Sequence, residues 1–407
     1  MCMAVSRQEE TWPKRQMTGP DKCGFDEGQA LPSCGWLWHT VSMELYLVGG
    51  AVRDMLLGRT PTELDFAFSG ALEEFLFLHP DARRVGKSVH VCLWHGRECM
   101  PLRGGGPEED LMARDLTVNA LALDKAGKLY MHPQAVNDLQ QRILRPASPT
   151  SFADDPTRIY RMARFAAFWP DWHIDKSAFE QMRALSYAEH ASLPAERVGR
   201  EVLKALAAPA PGRFFRVLAQ GQSLAPWFAE LEEAGRIPAG PRQWHSNSVL
   251  GHSLRIMDMV AGDSLAAWMA LCHDLGKILT DPALLPHHYG HEKGGIDLSQ
   301  ELARRLRLPA RFAQAGMLAA SEHMKGGMYM TLRPGTRRDL LWRIHAAGFD
   351  QAFWRLVDAD SGSPISSTAL AHLAVLLDVR LPKDWHNKGE ASARKLRELH
   401  CQALARQ

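Results

Sequence analysis

The stretch LYLVGGAVRDMLLGRTPTELDFAF, Leu45 to Phe68, decides how this chain reads. An apolar run, Leu45 to Val48, halts at Gly49-Gly50; AVRDMLLG then has the pattern of a helix closed by Gly58, and Leu64 to Phe68 reads as a second strand. Two glycines between a strand and a helix let a phosphate approach the backbone closely, and the helix start offers it unpaired N–H groups and partial positive charge. Arg53 and Asp54 fall in the first turn of that helix. Glu63 and Asp65 stand two apart on the expected strand, so their side chains leave one face, where two carboxylates suit a divalent cation. Taken singly, a strand-glycine-helix turn is common and a Glu-x-Asp is a solvated face; their adjacency carries the functional reading.

Downstream, ALEEFLFLHP predicts a short helix, and Val85 to Leu102 alternates through SVHVCLWHGRECMPL with a turn near Gly96-Arg97, placing Glu98 on the returning strand. The segment LMARDLTVNALALD sets Asp115 and Asn119 one helical turn apart, just after Arg114; for Asp115-x-Thr117 alone, a helix cap is the plain alternative. In SFADDPTRIYRMARFAAF, Asp155 before Pro156 makes a good N-cap, and Arg158 and Arg161 lie one turn apart on nearly one helix face. LPAERVGREVLKAL reads as a further helix.

This order of motifs resembles the class II nucleotidyltransferases that build or repair the 3′ CCA end of transfer RNA, with their bacterial poly(A) polymerase relatives. The resemblance spans most of residues 43 to 365. It implies an α+β nucleotidyltransferase head, a mixed sheet with helices, followed by an all-α neck and body. By the resemblance, Glu63 and Asp65, joined by Glu98, hold magnesium ions, while Gly49, Gly50 and Arg53 hold phosphates. Arg114, Asp115 and Asn119 match the family's R-R-D-x-T-x-N-A motif and reach triphosphate and sugar; for Glu98 an edge-strand charge stands as the alternative. Asp155 and Arg158 match an E-D-x-x-R motif that reads the edge of the incoming base, with Arg161 on nearly the same face.

The chain departs from the family pattern at several places. Glu63 stands where the family has aspartate, Ala113 replaces the first arginine of its motif, Asp154 replaces a glutamate, and His132 replaces an aspartate in KLYMHPQAVNDLQQRILR. A long loop tied in the family to switching from C to A addition is replaced here by a few residues around Gly104 to Glu109.

Past a proline and glycine linker at Pro238 to Arg242, HSNSVLGHSLRIMDMV and SLAAWMALCHDLGKIL predict two amphipathic helices. His252, His273, Asp274 and Asp360 have the spacing of the H…HD…D set and resemble the HD-domain phosphohydrolases; His288, His291 and His323 match the extra histidines of some members. Imidazole and carboxylate ligands suit a divalent transition metal better than magnesium. Such a metal lowers the pKa of bound water and stabilises a phosphoryl oxygen.

Length and composition fit this reading. A chain of 407 residues exceeds one ordinary core, and 46% hydrophobic with 23% charged residues is a globular composition. A net charge of +2 argues against a histone-like polycation while permitting a local basic groove. No run of about 18 apolar residues is present to suggest a membrane span. The seven cysteines form no CxxC pair, which points to reduced thiols and a cytoplasmic protein.

The expected organisation is an extension over residues 1–42, with Met43 as a candidate start, a head over 43–145, a neck and body over 146–240, an HD domain over 241–365 and a helical tail over 366–407. The expected partners are a transfer RNA 3′ end, CTP and ATP. The rival is a transferase impaired by Glu63, Ala113 and the missing loop, acting mainly as a phosphohydrolase on 2′,3′-cyclic nucleotides or phosphomonoesters. A third reading, a non-catalytic RNA scaffold, sits poorly with the HD ligand set.

Overall fold

The computed structural model describes residues 43–85, 91–241, 243 and 247–407. The expected extension, part of the Val85 to Leu102 alternation, Arg242 at the linker's end and His245-Ser246 lie outside the described residues. Contacts divide the chain into two units. The first runs up to Asp110 and takes in Leu121–Met131; the second holds Leu111–Ala120 and His132–Gln407.

The first unit is a mixed seven-stranded sheet in the order β3-β4-β5-β2-β1-β6-β7. Its strands are β1 (Leu45–Val48), β2 (Asp65–Phe68), β3 (Arg83–Val85), β4 (Val91–Trp94), β5 (Arg97–Pro101), β6 (Leu121–Asp124) and β7 (Leu129–Met131). Every residue of β1 is buried, as its unbroken apolar run requires, and it pairs antiparallel with both β2 and β6. Among the described residues of this sheet, only the β2-β5 pairing is parallel. Gly49 ends β1 at φ 68°, a conformation that favours glycine, and α1 (Gly50–Leu56) leaves from it. His95 and Gly96, both at positive φ, close the β4-β5 hairpin, and α2 (Leu72–Leu78) lays Phe75 against Phe68. Gly104 to Glu109 form a tight turn in which Glu109 accepts the Gly105 N–H at 2.9 Å; α3 (Pro107–Met112) begins within it.

In the second unit a short parallel pair, β8 (Ile143–Leu144) and β9 (His173–Ile174), accompanies helices. These are α4 (Ala135–Gln141), α5 (Ser151–Asp154), α6 (Thr157–Phe168), α7 (Lys176–Ala184), α8 (Tyr187–Ala191), α9 (Ala195–Leu206), α10 (Pro211–Gln220) and α11 (Ala229–Ala234). There follow α12 (Val249–Met259), α13 (Ser264–Cys272), α14 (His291–Arg305), α15 (Ala310–Gly327), α16 (Pro334–Ala347), α17 (Asp350–Ser361), α18 (Ile365–Asp378) and α19 (Glu390–Leu404). Ser248 and Asp263 cap α12 and α13, whose N–H groups they accept. Ala266 to Cys272 is buried all round, so α13 is the central helix against which α12, α15 and α17 pack. Glycine makes one of these approaches possible: a Cβ on Gly276, in the turn after α13, would stand 2.0 Å from the His291 carbonyl oxygen. Among the described residues no helix is long and apolar enough to cross a membrane.

Candidate functional site

In the first unit the strand register organises the acids. Phe66 on β2 lies beside Cys99 on β5, so one step earlier Asp65 lies beside Glu98, on the face opposite the buried Phe66 and Cys99. Glu63 does not share the strand as expected. β2 begins at Asp65 because its partner β1 ends at Val48, which pairs with Asp65; Glu63 is exposed in the segment before it. Among the described residues the donor oxygens of Glu63, Asp65 and Glu98 do not converge as a trio. Two carboxylates on neighbouring strands, with a third on the loop entering them, remain an oxygen donor set of the kind magnesium takes.

The glycine turn is more committed than its sequence suggested. The Gly49 N–H donates to the Leu121 carbonyl at 2.9 Å, so the sheet consumes it. Arg53 is buried, donates from Nε and Nη2 to Asp54 Oδ1 at 2.9 and 2.7 Å, and lies over Gly50, where a Cβ would come within 3.3 Å of Nη2. The absent Gly50 side chain therefore makes room for a guanidinium.

In the second unit Asp115 is the hub. Its Oδ1 accepts from Leu116 N–H and Asn119 Nδ2 at 2.8 and 3.1 Å, and its Oδ2 accepts from Arg161 Nε and Nη2 at 2.9 and 2.8 Å. Burial alone would raise this carboxyl, but Arg161 and Asn119 outweigh it and hold the group down at about 2. Arg158 is buried and donates to the carbonyls of Ala113, Arg114 and Ser151 at 2.7, 3.1 and 3.1 Å. It thereby braces the segment that presents Arg114. Asp155 caps α6 through the Thr157 N–H at 3.0 Å and takes Arg197 of α9 on its other oxygen at 2.8 Å. The sequence reading assigned no partner to Arg197, and it missed the buried Asp138, which accepts from Thr117 and Arg145 beneath the Asp115 turn.

The structure draws six of the seven residues named for the histidine cluster together and leaves one out. His252 on α12, His273 and Asp274 after α13, His291 at the start of α14, His323 on α15 and Asp360 on α17 converge. The correction is His288: its ring nitrogens face Thr280 Oγ1 and the Pro238 carbonyl, both at 2.8 Å, so it anchors a loop and stays out of the cluster. Asp274 spreads over two groups of donors. Its Oδ2 lies 3.3 Å from His273 Nε2, 3.7 Å from His252 Nε2 and 2.7 Å from Lys277 Nζ. Its Oδ1 lies 3.4 Å from Nε2 of both His291 and His323. Asp360 Oδ1 meets His252 Nε2 at 2.9 Å and is the partly exposed member, marking where the cluster opens.

The proton arrangement fits a cation. His273, His291 and His323 each turn Nδ1 to a backbone carbonyl, of Ala270, His288 and Ala319, at 2.8, 2.7 and 3.0 Å. A carbonyl accepts only, so Nδ1 carries a proton and Nε2 is the nitrogen turned inward, the arrangement of metal-bound histidines. Nε2 of His273 is buried without a hydrogen-bond partner, and Nε2 of His291 and His323 stand 3.2 Å apart. A proton on either ring, or a shared cation, satisfies this pair. Burial opposes charging of His273, yet Asp274 and Asp360 raise it to about 9, while burial of Asp274 is outweighed by His273 and Lys277, which hold it well below the ordinary carboxyl range.

Comparisons with known proteins agree with this architecture. A profile of the poly A polymerase head domain matches residues 45–92. The multifunctional CCA protein of Ectopseudomonas mendocina is 35% identical over 348 residues, 78% of this chain and 83% of the relative. That of Nitrosococcus oceani is 38% identical over 329 residues, 75% of this chain and 80% of the relative. In fold, the chain is similar to the Thermotoga maritima CCA-adding enzyme complexed with tRNA_CCA, with a TM-score of 0.62 at 17% identity over 90% of this chain and 88% of that one. The Bacillus stearothermophilus CCA-adding enzyme in complex with CTP gives the same TM-score of 0.62 at 21% identity, over 89% of each chain. With its mixed-sheet first unit, its helical second unit and relatives this similar over most of their length, the chain belongs to the family of multifunctional CCA proteins, the class II tRNA nucleotidyltransferases.

Proposed function

We propose that this chain adds or repairs the 3′ CCA end of transfer RNA, transferring C, A or both from CTP and ATP with release of pyrophosphate, and that its histidine cluster hydrolyses phosphate esters. The observation that carries the transferase reading is Asp65 and Glu98 on one face of neighbouring strands, in the same unit as the Gly49-Gly50 helix start and Arg53. Asp65 and Glu98, with Glu63, would hold magnesium, which when bound supplies positive charge to the triphosphate and lowers the pKa of the attacking 3′ hydroxyl. Arg53 and the start of α1 favour phosphate by charge.

Within the second unit, the residues that match the family's base and sugar motifs fall into two sets. Arg114, Asp115 and Asn119 form one set, Asp155, Arg158 and Arg161 the other. Arg158 and Arg161 act chiefly by fixing Arg114 and Asp115, since their donors are engaged there. The domain assignment is a head over 43–145, a neck and body over 146–240, an HD domain over 241–365 and a helical tail over 366–407, in a cytoplasmic protein.

The second activity rests on the inward-turned Nε2 atoms of the cluster. His252, His273, Asp274, His291, His323 and Asp360 would hold a divalent transition metal, which supplies a water of lowered pKa. Lys277, fixed by the Ala239 carbonyl at 2.8 Å, holds Asp274 in place.

Purified protein incubated with magnesium, labelled CTP or ATP, and transfer RNA ending in -C-C or lacking both C residues should incorporate label. No incorporation with any substrate would overturn the transferase reading. Hydrolysis of 2′,3′-cyclic AMP should survive Asp65→Ala and disappear in His273→Ala; hydrolysis indifferent to His273 would refute the second activity's placement.

A further inference from the structure

His132 stands where the family pattern has an aspartate. An aspartate ahead of a helix accepts the N–H two residues on, and His132 keeps that contact: its Nδ1 accepts the Gln134 N–H at 3.1 Å, at the start of α4. The ring is buried, and its other nitrogen faces the Ala147 carbonyl. With Nδ1 accepting, the proton of the neutral ring lies on Nε2 and is directed at that carbonyl. An ionised aspartate only accepts, so it would leave the carbonyl unanswered.

These contacts reach both ends of the turn that carries Asp115 and Asn119. The backbone N–H of His132 donates to the Ala120 carbonyl at 2.9 Å, just past Asn119. The Ala147 N–H donates to the Asp115 carbonyl at 3.2 Å, and the Thr117 N–H to the Arg145 carbonyl at 3.0 Å. In the first turn of α4, the buried Asp138 accepts the Thr117 hydroxyl at 2.7 Å. The helix start that His132 fixes therefore also holds the middle of the 115–119 turn.

A second proton on the ring breaks this arrangement. Nδ1 would then meet the Gln134 N–H donor to donor, and a charge would be buried. Burial holds the ring below its ordinary 6.5; the Ala147 carbonyl and Asp138 on α4 favour the proton, and Arg145, just past β8, opposes it. Arg145 is itself held between Asp138 and Asp175, at 2.9 and 2.7 Å. Asp115, on the turn, sits at about 2 and stays ionised throughout. The neutral form is thus complete above 6.5 and is lost as pH falls through a value below it.

We infer that His132 is a positioning residue for nucleotide binding: neutral, it sets the 115–119 turn against the start of α4; protonated, it loosens that turn and weakens the hold on CTP and ATP. This rests on the transferase reading above and adds to it a pH-sensitive support for the residues assigned to the nucleotide.

The test uses the full-length protein with His132→Asn, whose amide accepts the Gln134 N–H but does not titrate, and His132→Asp, the family's residue. The measurements are KM and kcat for CTP and ATP between about pH 5.5 and pH 8, and hydrogen-exchange protection of the Thr117 and Ala147 amides over the same range. The wild-type KM relative to that of His132→Asn should rise about tenfold from the alkaline to the acid end, the loss of about one hydrogen bond. The ratio cancels the titration of the nucleotide itself. Both proteins should share one pH profile of kcat, and acid should strip protection from Thr117 and Ala147 in the wild type alone. His132→Asp keeps the accepting atom and lacks the donor, so its KM should be about tenfold higher even at the alkaline end. Parallel KM profiles in the wild type and His132→Asn would overturn the proposal. So would a kcat that falls with acid in the wild type alone while KM does not, because His132 would then serve the fold or the chemistry. Protection that acid leaves unchanged would overturn the loosening of the turn, and a wild-type KM in His132→Asp would overturn the part given to Ala147. A wild-type protein that incorporates neither nucleotide would instead sink the transferase reading and the nucleotide role with it, while protection lost in acid and kept in His132→Asn would still identify His132 as the support of the turn.

Discussion

The two candidate metal sites of this chain are built on opposite principles. In the first unit Asp65 and Glu98 lie on neighbouring inner strands of the sheet and Glu63 on the segment entering β2, with Glu63 and Glu98 exposed and, among the described residues, no set of three donors drawn together. In the second, buried donors from four helical segments converge with the partly exposed Asp360, and three histidines are oriented by backbone carbonyls. The first arrangement suits a hard cation that arrives with a triphosphate and keeps several of its waters. The second suits a resident metal, because the ring nitrogens are already aimed and their desolvation is already met in the folded protein.

That contrast predicts separable losses. The largest is expected from Asp65→Asn, which removes the charge of the carboxylate that starts β2 and should lower nucleotide incorporation by about 100-fold or more, leaving the metal content of the protein unchanged. A fall in metal content would show that the sites are not independent.

A smaller effect should follow from Gly276→Ala. The added methyl would meet the His291 carbonyl and Gly295 backbone, pushing α14 and with it His291 away from Asp274. Overpacking of this kind costs about 1–3 kcal/mol, measurable as a lower denaturation midpoint together with weaker metal retention. Wild-type stability and metal content would mean that α14 tolerates displacement.

Arg161→Met probes the second unit away from the metal cluster. Asp115 sits at about 2 in the folded protein against an ordinary 3.8. A depressed carboxyl contributes stability above pH 3.8 that is lost as pH falls through about 2, worth about 2 kcal/mol. Without Arg161 the folded Asp115 titrates at higher pH, so acid unfolding should begin at higher pH than in the wild type. An unmoved acid transition would contradict the role given to this pair.

The smallest change is expected from Glu63→Asp. Glu63 is exposed in the loop before β2, where the backbone can adjust to one extra carbon. Incorporation should change by less than about threefold, against the roughly 100-fold penalty of a rigidly misplaced group. A large gain would show that Glu63 is a handicap and favour the impaired-transferase alternative.

What could be read from the sequence was local. The run LYLV, the glycine break and the closing Gly58 marked β1 and α1, and the apolar pattern of HSNSVLGHSLRIMDMV and SLAAWMALCHDLGKIL marked two helices of the cluster. The start of β2 was misjudged because it depends on where β1 ends across the sheet, and that pairing has no local signal. His288 and His291 look alike in HHYGHE, yet only His291 turns into the cluster; Pro238, fifty residues away, takes the His288 ring. The roles of Arg158 and Arg197 were equally hidden, because the partners Ala113, Arg114 and Asp155 lie 42 to 45 residues distant. Lys277 had a visible signal, three residues past Asp274 on the same helical turn, but its link to the Ala239 carbonyl comes only with the fold.

The central claim is that one chain carries a transferase and a separate resident metal centre. The most direct test measures metal content and labelled nucleotide incorporation in the same preparation of His273→Ala. His273→Ala should lose the metal and keep incorporation at the wild-type level. Metal retained in full, or incorporation lost in parallel with it, would show that the metal centre is not separate from the transferase.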